Sequence, residues 1–232
     1  MYNEKYVSVV ICAAGASRRM GLSAGSSKQF LTIGGMTVLE RSVLAFERDS
    51  VTDEIIVVCP EAMTDDFREL LGRLGLKKPL RFAKGGEERQ ISVKNGVDAA
   101  DERSQIIAVH DGARPFITEK LIEQVVANGY EFGCSTLGVP VKDTIKKVWD
   151  GVVVETLPRD ELFAIQTPQV FVKSVYLQAY ENAEKSGIVC TDDCSLVELD
   201  GGTVHITPGD YKNIKITTPE DIPAAEAILA GE

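Results

Sequence analysis

The fold is decided by the first apolar stretch of the chain, Val7-Ser8-Val9-Val10-Ile11-Cys12-Ala13, which leads directly into Ala14-Gly15-Ala16-Ser17-Arg18-Arg19-Met20-Gly21. The first part is rich in β-branched residues and nearly continuously apolar, which predicts a strand over Val7–Ala13 with both faces buried. Such strands lie in the centre of parallel sheets covered by helices on both sides. The small residues that follow are typical of a loop whose backbone N–H groups approach an anion. The stretch therefore predicts an α/β domain with a ligand loop after its first strand.

Short β-rich runs alternate with longer helical stretches through most of the chain. Glu54–Cys59 and Ile106–His110 repeat the pattern of the first strand. Apolar residues at helical spacing predict crossover helices, one stopping at Gly75 and one stopping before Asn128-Gly129. Thr218-Pro219-Glu220-Asp221 supplies a cap, a proline and an acid in the order that opens a terminal helix. The alternation predicts an α/β fold with a doubly wound, mostly parallel, Rossmann-like sheet.

One segment breaks this alternation. Thr144–Trp149 and Val152–Leu157 flank Asp150-Gly151, a residue pair that tolerates the positive φ angles of a tight hairpin turn. We predict a β-hairpin arm over residues 139–159, inserted in the α/β domain. An isolated two-stranded hairpin is marginal in water, so an arm that carries Trp149 is expected to pack on another surface. We expect this surface to be a second copy of the chain, which makes the protein a homodimer.

Composition limits what the protein binds and where it works. The chain of 232 residues is 44% hydrophobic, enough for the core of a single domain over residues 1–232. Its 25 Lys and Arg against 35 Asp and Glu leave a charge of −10, which argues against nucleic acid as a partner. No apolar run approaches the roughly 20 residues that span a bilayer, so no membrane partner is expected. Five cysteines with only two histidines and no CxxC pair argue against a metal cluster and favour the reducing cytoplasm.

The loop after the first strand is followed by cations. It is not a P-loop, because no Gly-Lys-Ser/Thr follows Gly15 at the required distance. It is not a dinucleotide-binding fingerprint, because Gly15 and Gly21 are six residues apart. Arg19 and Lys28 remain as two cations that hold a polyphosphate while a reaction develops negative charge. The alternative is that Gly15 makes an ordinary tight turn and that both cations are solvated.

Seven ordered blocks carry a resemblance to a known family. They are Ala13-Ala14-Gly15-x-x-x-Arg19-Met20-Gly21 with Lys28-Gln29, Gly85-Gly86-Glu87-Glu88-Arg89-Gln90-Ile91-Ser92-Val93, His110-Asp111-Gly112-Ala113-Arg114-Pro115, Val141-Lys142-Asp143-Thr144, Gln166-Thr167-Pro168-Gln169, Thr191-Asp192-Asp193 and Asn213-Ile214-Lys215-Ile216-Thr217. The first block resembles the nucleotidyltransferase signature. Over essentially the whole chain, the set resembles the 2-C-methyl-D-erythritol 4-phosphate cytidylyltransferases of the non-mevalonate isoprenoid pathway. That family usually has alanine where this chain has Gly112, a second glycine at Ser17 and a proline at Ser27.

The resemblance implies an enzyme that joins CTP to methylerythritol 4-phosphate, with Mg²⁺ bridging the triphosphate oxygens. It makes Arg19, Lys28 and Lys215 the catalytic cations. It assigns the nucleotide to Ala13, Ala14, Gly15, Gly85, Gly86, Ser92 and Asp111. Asp111 follows a strand end, where open sheets bind ligands, so it is the expected ligand of Mg²⁺ or of a ribose hydroxyl. The structural alternatives are a solvated lysine at 215, an Asx turn at 111 and a plain glycine turn at 85–86.

The resemblance also implies contacts to the alditol phosphate. They come from Arg114, Thr144, Arg159, Thr167 and Thr191, together with Lys215. Thr191 has a structural alternative, because a threonine followed by two acids is also a plain helix N-cap. Arg159 lies just past the hairpin strands, two residues beyond Leu157, so in an arm-exchanged dimer it would serve the active site of the neighbouring subunit.

Two other functions stay open at this point. A ribitol 5-phosphate cytidylyltransferase shares the fold, CTP and most of the blocks, although Val141-Lys142-Asp143-Thr144 and Thr191-Asp192-Asp193 resemble the methylerythritol enzyme more closely. A non-catalytic nucleotide-binding module would keep the sheet and lose the chemistry. The simultaneous presence of Arg19, Lys28, Asp111 and Lys215 argues against such a module.

Overall fold

The computed structural model describes residues 1–15, 20 and 27–231. In chain order its strands are β1 (Tyr6–Cys12), β2 (Thr32–Ile33), β3 (Met36–Thr37), β4 (Glu54–Cys59), β5 (Leu80–Lys84), β6 (Ser104–Asp111), β7 (Cys134–Pro140), β8 (Lys146–Trp149), β9 (Val152–Thr156), β10 (Phe163–Val172) and β11 (His205–Pro208). Its α-helices are α1 (Val38–Arg48), α2 (Thr64–Gly72), α3 (Arg89–Ala99), α4 (Glu119–Phe132), α5 (Lys173–Lys185), α6 (Cys194–Leu199) and α7 (Asp221–Ala230). None of these helices is long and apolar enough to cross a membrane.

Seven strands form one sheet in the order β11-β7-β10-β6-β1-β4-β5. β1 pairs in parallel with β4 and β6, β4 with β5, and β7 with β11. β10 is inserted between β6 and β7 and runs antiparallel to both. Strand order reverses between β1 and β6, the switch point at which doubly wound sheets bind ligands.

Two apolar layers cover the sheet and confirm the doubly wound fold. On one face, Val7, Val9 and Ile11 of β1 pack in a cluster with buried residues of α1, α2 and α4. On the other face, Val10 packs in a cluster with residues of α3, α5 and α6. The alternation follows from the side-chain period of a strand, and it explains why the first strand is apolar at nearly every position.

The predicted strands match the structure closely, whereas the predicted end of one helix does not. The second predicted strand is confirmed as Glu54–Cys59, and the third extends beyond its prediction at both ends. The prediction that a helix stops before Asn128-Gly129 is wrong, because α4 continues to Phe132 and ends at Gly133 with φ +84°. Gly129 lies inside α4, at a position where a Cβ would come within 2.5 Å of Val170 Cγ1. That glycine lets the helix approach the sheet closely, and it does not end the helix.

The predicted arm is present as the hairpin β8–β9. Asp150 and Gly151 have φ angles of +46° and +75°, as the two central residues of this turn type require. Every residue of β8 and β9 is exposed, and Trp149 is 79% exposed. The hairpin therefore leaves a large apolar surface uncovered within one chain.

The amino ends of the strands carry a buried polar cluster around Glu54, at the start of β4. Its Oε1 accepts hydrogen bonds from Ser8 Oγ and from the backbone N–H of Asp101, both at 2.6 Å. Its Oε2 lies 3.2 Å from Arg81 Nε. The side chain is completely buried, so protein groups provide its polar environment.

Candidate active site

A cleft of about 490 Å³ opens at the carboxyl ends of β1 and β6. Seven residues assigned from the sequence line it: Ala14, Gly15, Lys28, Gly86, Ser92, Asp111 and Lys215. Cys12, Gln29, Glu87, Glu88, Arg89, Ala113 and Thr217 complete the lining. Four of the seven sequence blocks therefore meet at the switch point of the sheet, although they are up to about 200 residues apart in the chain.

Small residues form one wall of the cleft. Gly85 packs so tightly on the first loop that a Cβ there would lie 2.4 Å from the Cβ of Ala14. Ala13 is completely buried beneath the loop, and its N–H donates to Val58 O at 2.8 Å. Ser92 Oγ accepts a hydrogen bond from the N–H of Gly86 at 2.9 Å and donates to Glu88 O at 3.0 Å. These contacts hold the glycine loop against the loop that follows β1.

Two lysines form the other wall. The segment after Asn213 is fixed to the end of β6 because Ile216 N–H donates to Ala113 O at 2.8 Å. Lys215 Nζ lies 2.7 Å from Asp111 Oδ2. Lys28 lies on a short 3-10 turn, Lys28–Phe30, and donates from Nζ to Ile216 O at 2.6 Å. The contacts place both lysines in one cleft, with Lys215 on the carboxylate of Asp111.

Asp111 is ionised in this environment. Burial alone would raise the pKa of its carboxyl group, but Lys215 and Arg89, with a smaller contribution from Arg114, outweigh burial and hold the pKa at about 2. The pKa of the Cys12 thiol, at the floor of the cleft, is raised by burial to about 12. The carboxylate is therefore a permanent anion at neutral pH, and the thiol stays protonated.

A buried hydrogen-bond chain fixes the backbone of Asp111. Thr167 Oγ1 accepts from the N–H of Asp111 at 3.0 Å and lies 3.2 Å from His110 Nδ1, while His110 Nε2 lies 3.2 Å from Arg114 O. This pattern places the imidazole proton on Nε2, which donates to the carbonyl, and leaves Nδ1 to accept from the threonine. Burial lowers the pKa of His110 to about 4, so the ring is neutral. Thr167 thus supports the site from within the protein, and its side chain is nearly inaccessible to solvent.

Arg114 lies behind the same carboxylate. Its Nη1 donates to Asn213 O at 2.7 Å, and its Nε is 3.6 Å from Asp111 Oδ2. Burial lowers the pKa of the Arg114 guanidinium. The guanidinium therefore connects the end of β6 to the segment that carries Lys215.

A second charged network at the cleft includes residues to which the sequence assigned no role. Arg89 Nη1 lies 2.5 Å from Asp193 Oδ2, and the Gln169 side chain accepts from Asp193 N–H at 3.0 Å and donates to Asp192 at 2.6 Å. Burial disfavours the charge on Arg89, but Asp193 raises its pKa. All four residues belong to the sequence blocks that carry the family resemblance. That membership was the signal by which the sequence could have identified them.

The remaining predicted substrate contacts do not reach the cleft of their own chain. Thr144 and Arg159 are exposed at the base of the arm, where Arg159 Nη1 donates to Lys142 O at 3.2 Å. Thr191 is exposed, and the turn into α6 is capped by Asp192, whose Oδ1 accepts from Ser195 N–H at 3.1 Å. Arg19 lies outside the described residues.

The charges of the site suit a metal bound together with a ligand. Among residues 1–15, 20 and 27–231, no group of three His, Cys, Asp or Glu side chains forms a metal site. Asp111 supplies one carboxylate, paired with Lys215, to the lining of the cleft. Magnesium is commonly held by one or two carboxylates plus the phosphate oxygens of a substrate, so this donor set fits such an ion.

Comparisons with known proteins agree with this geometry. The model of the family described as IspD, 2-C-methyl-D-erythritol 4-phosphate cytidylyltransferase, matches residues 7–231. A Bacillus cereus relative of that name is 45% identical over 221 residues, covering 95% of this chain and 96% of the relative. A Bacillus licheniformis relative of the same name is 46% identical over 224 residues, covering 97% and 96%. The solved 4-diphosphocytidyl-2C-methyl-D-erythritol synthase of Anaerococcus prevotii superposes with a TM-score of 0.87 at 33% identity, covering 97% and 96% of the chains.

Fold and cleft together define the class of protein as a nucleotidyltransferase. The first sequence block resembles the signature of that class. The structure places the small-residue loop and the two lysines at the switch point of a mostly parallel sheet. More narrowly, this chain belongs to the 2-C-methyl-D-erythritol 4-phosphate cytidylyltransferase family. The comparisons do not favour the ribitol phosphate alternative or the non-catalytic module.

Proposed function

We propose that the chain transfers the cytidylyl group of CTP to 2-C-methyl-D-erythritol 4-phosphate. A phosphate oxygen of the alditol attacks the α-phosphorus of CTP, and the bond from that phosphorus to the bridging oxygen breaks. The products are 4-diphosphocytidyl-2-C-methyl-D-erythritol and pyrophosphate. The nucleophile is already an anion, so the reaction needs no protein nucleophile and no general base to remove a proton.

The observation that carries the proposal is that Lys28, Lys215 and Asp111 line one cleft, with Lys215 paired to Asp111. Two anions must approach each other in this reaction, and negative charge accumulates around the α-phosphorus. Cations fixed in advance at that point stabilise the transition state more than the separated substrates. We assign this work to the two lysines together with Arg19.

Magnesium belongs to the proposal as a partner of the nucleotide. Asp111 is the residue that would hold it, and when bound the ion neutralises charge on the triphosphate oxygens. Lys215 keeps the carboxylate of Asp111 ionised and limits its rotation. Gly85, Gly86 and Ser92 are proposed to receive the base of CTP, and Ala14 and Gly15 of the first loop are proposed to receive its phosphates.

The decisive experiment supplies labelled CTP and Mg²⁺ with each alditol phosphate in parallel. We expect a labelled CDP-alditol with methylerythritol phosphate and none with ribitol 5-phosphate. A product formed only from ribitol phosphate would overturn the substrate assignment. Absence of product with both would overturn the enzymatic assignment.

We propose further that the protein works as a homodimer that exchanges its residue 139–159 arms. The exposed apolar faces of β8 and β9 support this arrangement, as does the location of Thr144 and Arg159 away from the cleft of their own chain. In such a dimer Thr144 and Arg159 contact the alditol phosphate in the partner's site, while Arg114 and Thr167 serve their own. Thr191 stays a predicted contact that lies outside the cleft of its own chain. The rest of residues 1–232 is then a single nucleotidyltransferase domain.

Subunit sharing is tested by mixing two inactive variants, Arg159→Ala and Lys28→Ala, and allowing the subunits to exchange. If each site draws Arg159 from its partner, a mixed dimer has one site lacking both groups and one intact site. Activity then returns. Mixed dimers that form and stay inactive would show that each site is built within one chain.

The cytoplasm is the proposed location. All five cysteines are free, and Cys134 Sγ lies 3.9 Å from Cys194 Sγ without a bond. Neighbouring free thiols are typical of a reducing compartment. Fractionation of the producing cell tests this assignment, and recovery outside the cytoplasm would refute it.

A further inference from the structure

The start of helix α3 is held by a distant part of the chain and not by a cap of its own. α3 begins at Arg89, shortly after the glycine loop of Gly85 and Gly86, and the Glu88 side chain at the cap position makes no capping hydrogen bond. Arg89 also places a cation in the first turn, where the positive end of the helix dipole opposes it. The local signals that usually stabilise a helix start therefore do not stabilise this one.

Two contacts from the segment 190–193 take the place of the cap. Arg89 Nη1 lies 2.5 Å from Asp193 Oδ2, and Gln90 Oε1 accepts a hydrogen bond from the N–H of Cys190 at 3.1 Å. Gln90 and Asp193 are both buried. A buried ion pair adds little to stability, because the cost of desolvating the charges offsets their attraction. The pair therefore indicates a requirement for a fixed geometry at the start of α3.

Strand β10 anchors the other side of these contacts. The Gln169 side chain accepts from the N–H of Asp193 at 3.0 Å and donates to Asp192 Oδ2 at 2.6 Å. Gln169 is buried in β10, two residues after Thr167, which accepts from the N–H of Asp111. The same stretch of β10 therefore fixes the backbone of Asp111 and, through Asp193, the first turn of α3.

The start of α3 in turn sets the shape of the glycine loop. Ser92, in α3, accepts from the N–H of Gly86 at 2.9 Å and donates to Glu88 O at 3.0 Å. A Cβ on Gly86 would lie 2.3 Å from Ile91 Cγ2, so the loop packs directly on the helix. A displacement of the helix start therefore moves the loop with it.

The next step rests on the proposed function, in which Gly85, Gly86 and Ser92 receive the base of CTP. Cytosine carries an amino donor where uracil carries an oxygen acceptor, so telling the two bases apart requires polar groups at fixed positions. We infer that Asp193 and Gln90 are positioning residues, which hold the glycine loop in the geometry that selects cytosine over uracil. Neither residue lines the cleft, so both act through the start of α3.

The test measures kcat/KM for CTP and for UTP, with methylerythritol phosphate as the second substrate, in wild-type protein, Asp193→Asn and Gln90→Met. Asparagine removes the charge that pairs with Arg89, and methionine keeps the length of the glutamine while removing its acceptor. We expect the preference for CTP over UTP to shrink about tenfold in Asp193→Asn, because a small misplacement of recognition groups is costly. In Gln90→Met it should shrink about threefold, the effect of one neutral hydrogen bond.

The matched control is Asp98→Asn. It removes an ion pair with Lys94 Nζ, 2.6 Å long, further along the same helix and away from the segment 190–193. The preference for CTP should be unchanged in this variant. Thermal unfolding shows which variants are folded, and Gln90→Met carries the test should Asp193→Asn fail to fold.

The outcomes are distinct. An unchanged preference in the folded variants overturns the inference, as does a wild type that uses CTP and UTP equally well. An equal loss for both nucleotides also overturns it, because it would show a general structural defect or an action of Arg89 on the triphosphate that CTP and UTP share. Wild-type protein that forms no product from CTP with either alditol phosphate refutes the proposed function and the inference with it. An active, CTP-selective wild type whose variants stay equally selective refutes the inference alone.

Discussion

Two buried carboxylates stand at opposite ends of the same sheet, and the protein surrounds them differently. Glu54, at the amino ends of the strands, is wholly enclosed and accepts two short hydrogen bonds from Ser8 and Asp101. Asp111, at the carboxyl ends, is held by Lys215 and Arg114 and borders an open cleft. Glu54 also lies 3.2 Å from Arg81 Nε, so both carboxylates have a cationic neighbour and the difference between them is enclosure. An enclosed carboxylate contributes to folding. One that borders a cleft keeps its charge available to a ligand.

The largest expected effect is on catalysis, at the carboxyl ends of the strands where the cleft opens. Lys28→Ala should lower kcat/KM at least about 100-fold, because it removes a fixed cation from the charge-accumulating transition state. The midpoint of thermal unfolding should change little. The control is Lys94→Ala on the surface of α3, where the lysine pairs with Asp98 one turn away. Near-normal turnover of the Lys28 variant would remove the central assignment.

At the amino ends of the strands, where Glu54 lies, we expect a substitution to lower stability and not the catalytic rate. Glu54→Gln should lower the free energy of unfolding by about 2 kcal/mol, because an amide replaces the carboxyl group that accepts two buried hydrogen bonds and faces Arg81. The matched variant is Asp111→Asn, for which we expect a large loss of kcat/KM and a smaller loss of stability. Urea unfolding and steady-state kinetics measure both variants. If both impair catalysis equally, the contrast between the two ends is wrong.

A third prediction concerns His110, which lies directly beneath the cleft. Its pKa of about 4 in the folded protein is below the value of about 6.5 in an unfolded chain. Between these values the unfolded state binds the proton and the folded state does not. Stability is therefore complete above about pH 6.5 and falls towards pH 4, with a slope of up to about 1.4 kcal/mol per pH unit from this group.

His110→Gln removes that titration. The free energy of unfolding, measured by urea between pH 7 and pH 4.5, should depend less steeply on pH in the variant than in wild type. The absolute stability of the variant does not enter, because the comparison is between slopes. Parallel slopes would show that His110 is not a buried neutral imidazole.

The smallest expected effect is on the affinity for one substrate. Arg159→Lys should raise KM for methylerythritol phosphate about tenfold and leave KM for CTP unchanged, because a lysine cannot replace two parallel hydrogen bonds to a phosphate. The corresponding change at the amino end, Arg103→Lys beside Asp101, should alter neither constant. Equal constants for Arg159→Lys and wild type would indicate a solvated arginine with no substrate.

Local patterns in the sequence predicted the strands and the hairpin turn. A buried strand needs only a run of β-branched residues, and Asp150-Gly151 needs only its own backbone preferences. The resemblance then placed Lys28, Asp111 and Lys215 in one site, where the structure brings them together. The end of α4 was mispredicted because Gly129 is needed for close packing against Val170, which is 41 residues away in the chain.

Residues that act through distant partners were beyond the sequence. Arg89 matters because Asp193 is packed against it, and the Gln29 side-chain oxygen is enclosed without a hydrogen-bond partner in the part of the chain that the structure describes. Neither property depends on neighbours in the chain. Glu54 shows the same limit, because a glutamate at the start of an apolar strand gives no sign that Ser8 and Asp101 enclose it.

The insertion of β10 between β6 and β7 has a consequence for synthesis on the ribosome. When the ribosome has completed β7 at Pro140, β10 has not yet been made. This strand lies between β7 and β6 in the sheet and is complete only at Val172. At about 5–20 residues per second, the nascent chain carries two unfilled strand edges for about 2–6 seconds. Open edges are templates for pairing with other chains. The half-built sheet is thus the stage at which the newborn protein is most prone to aggregate and most suited to protection by a chaperone.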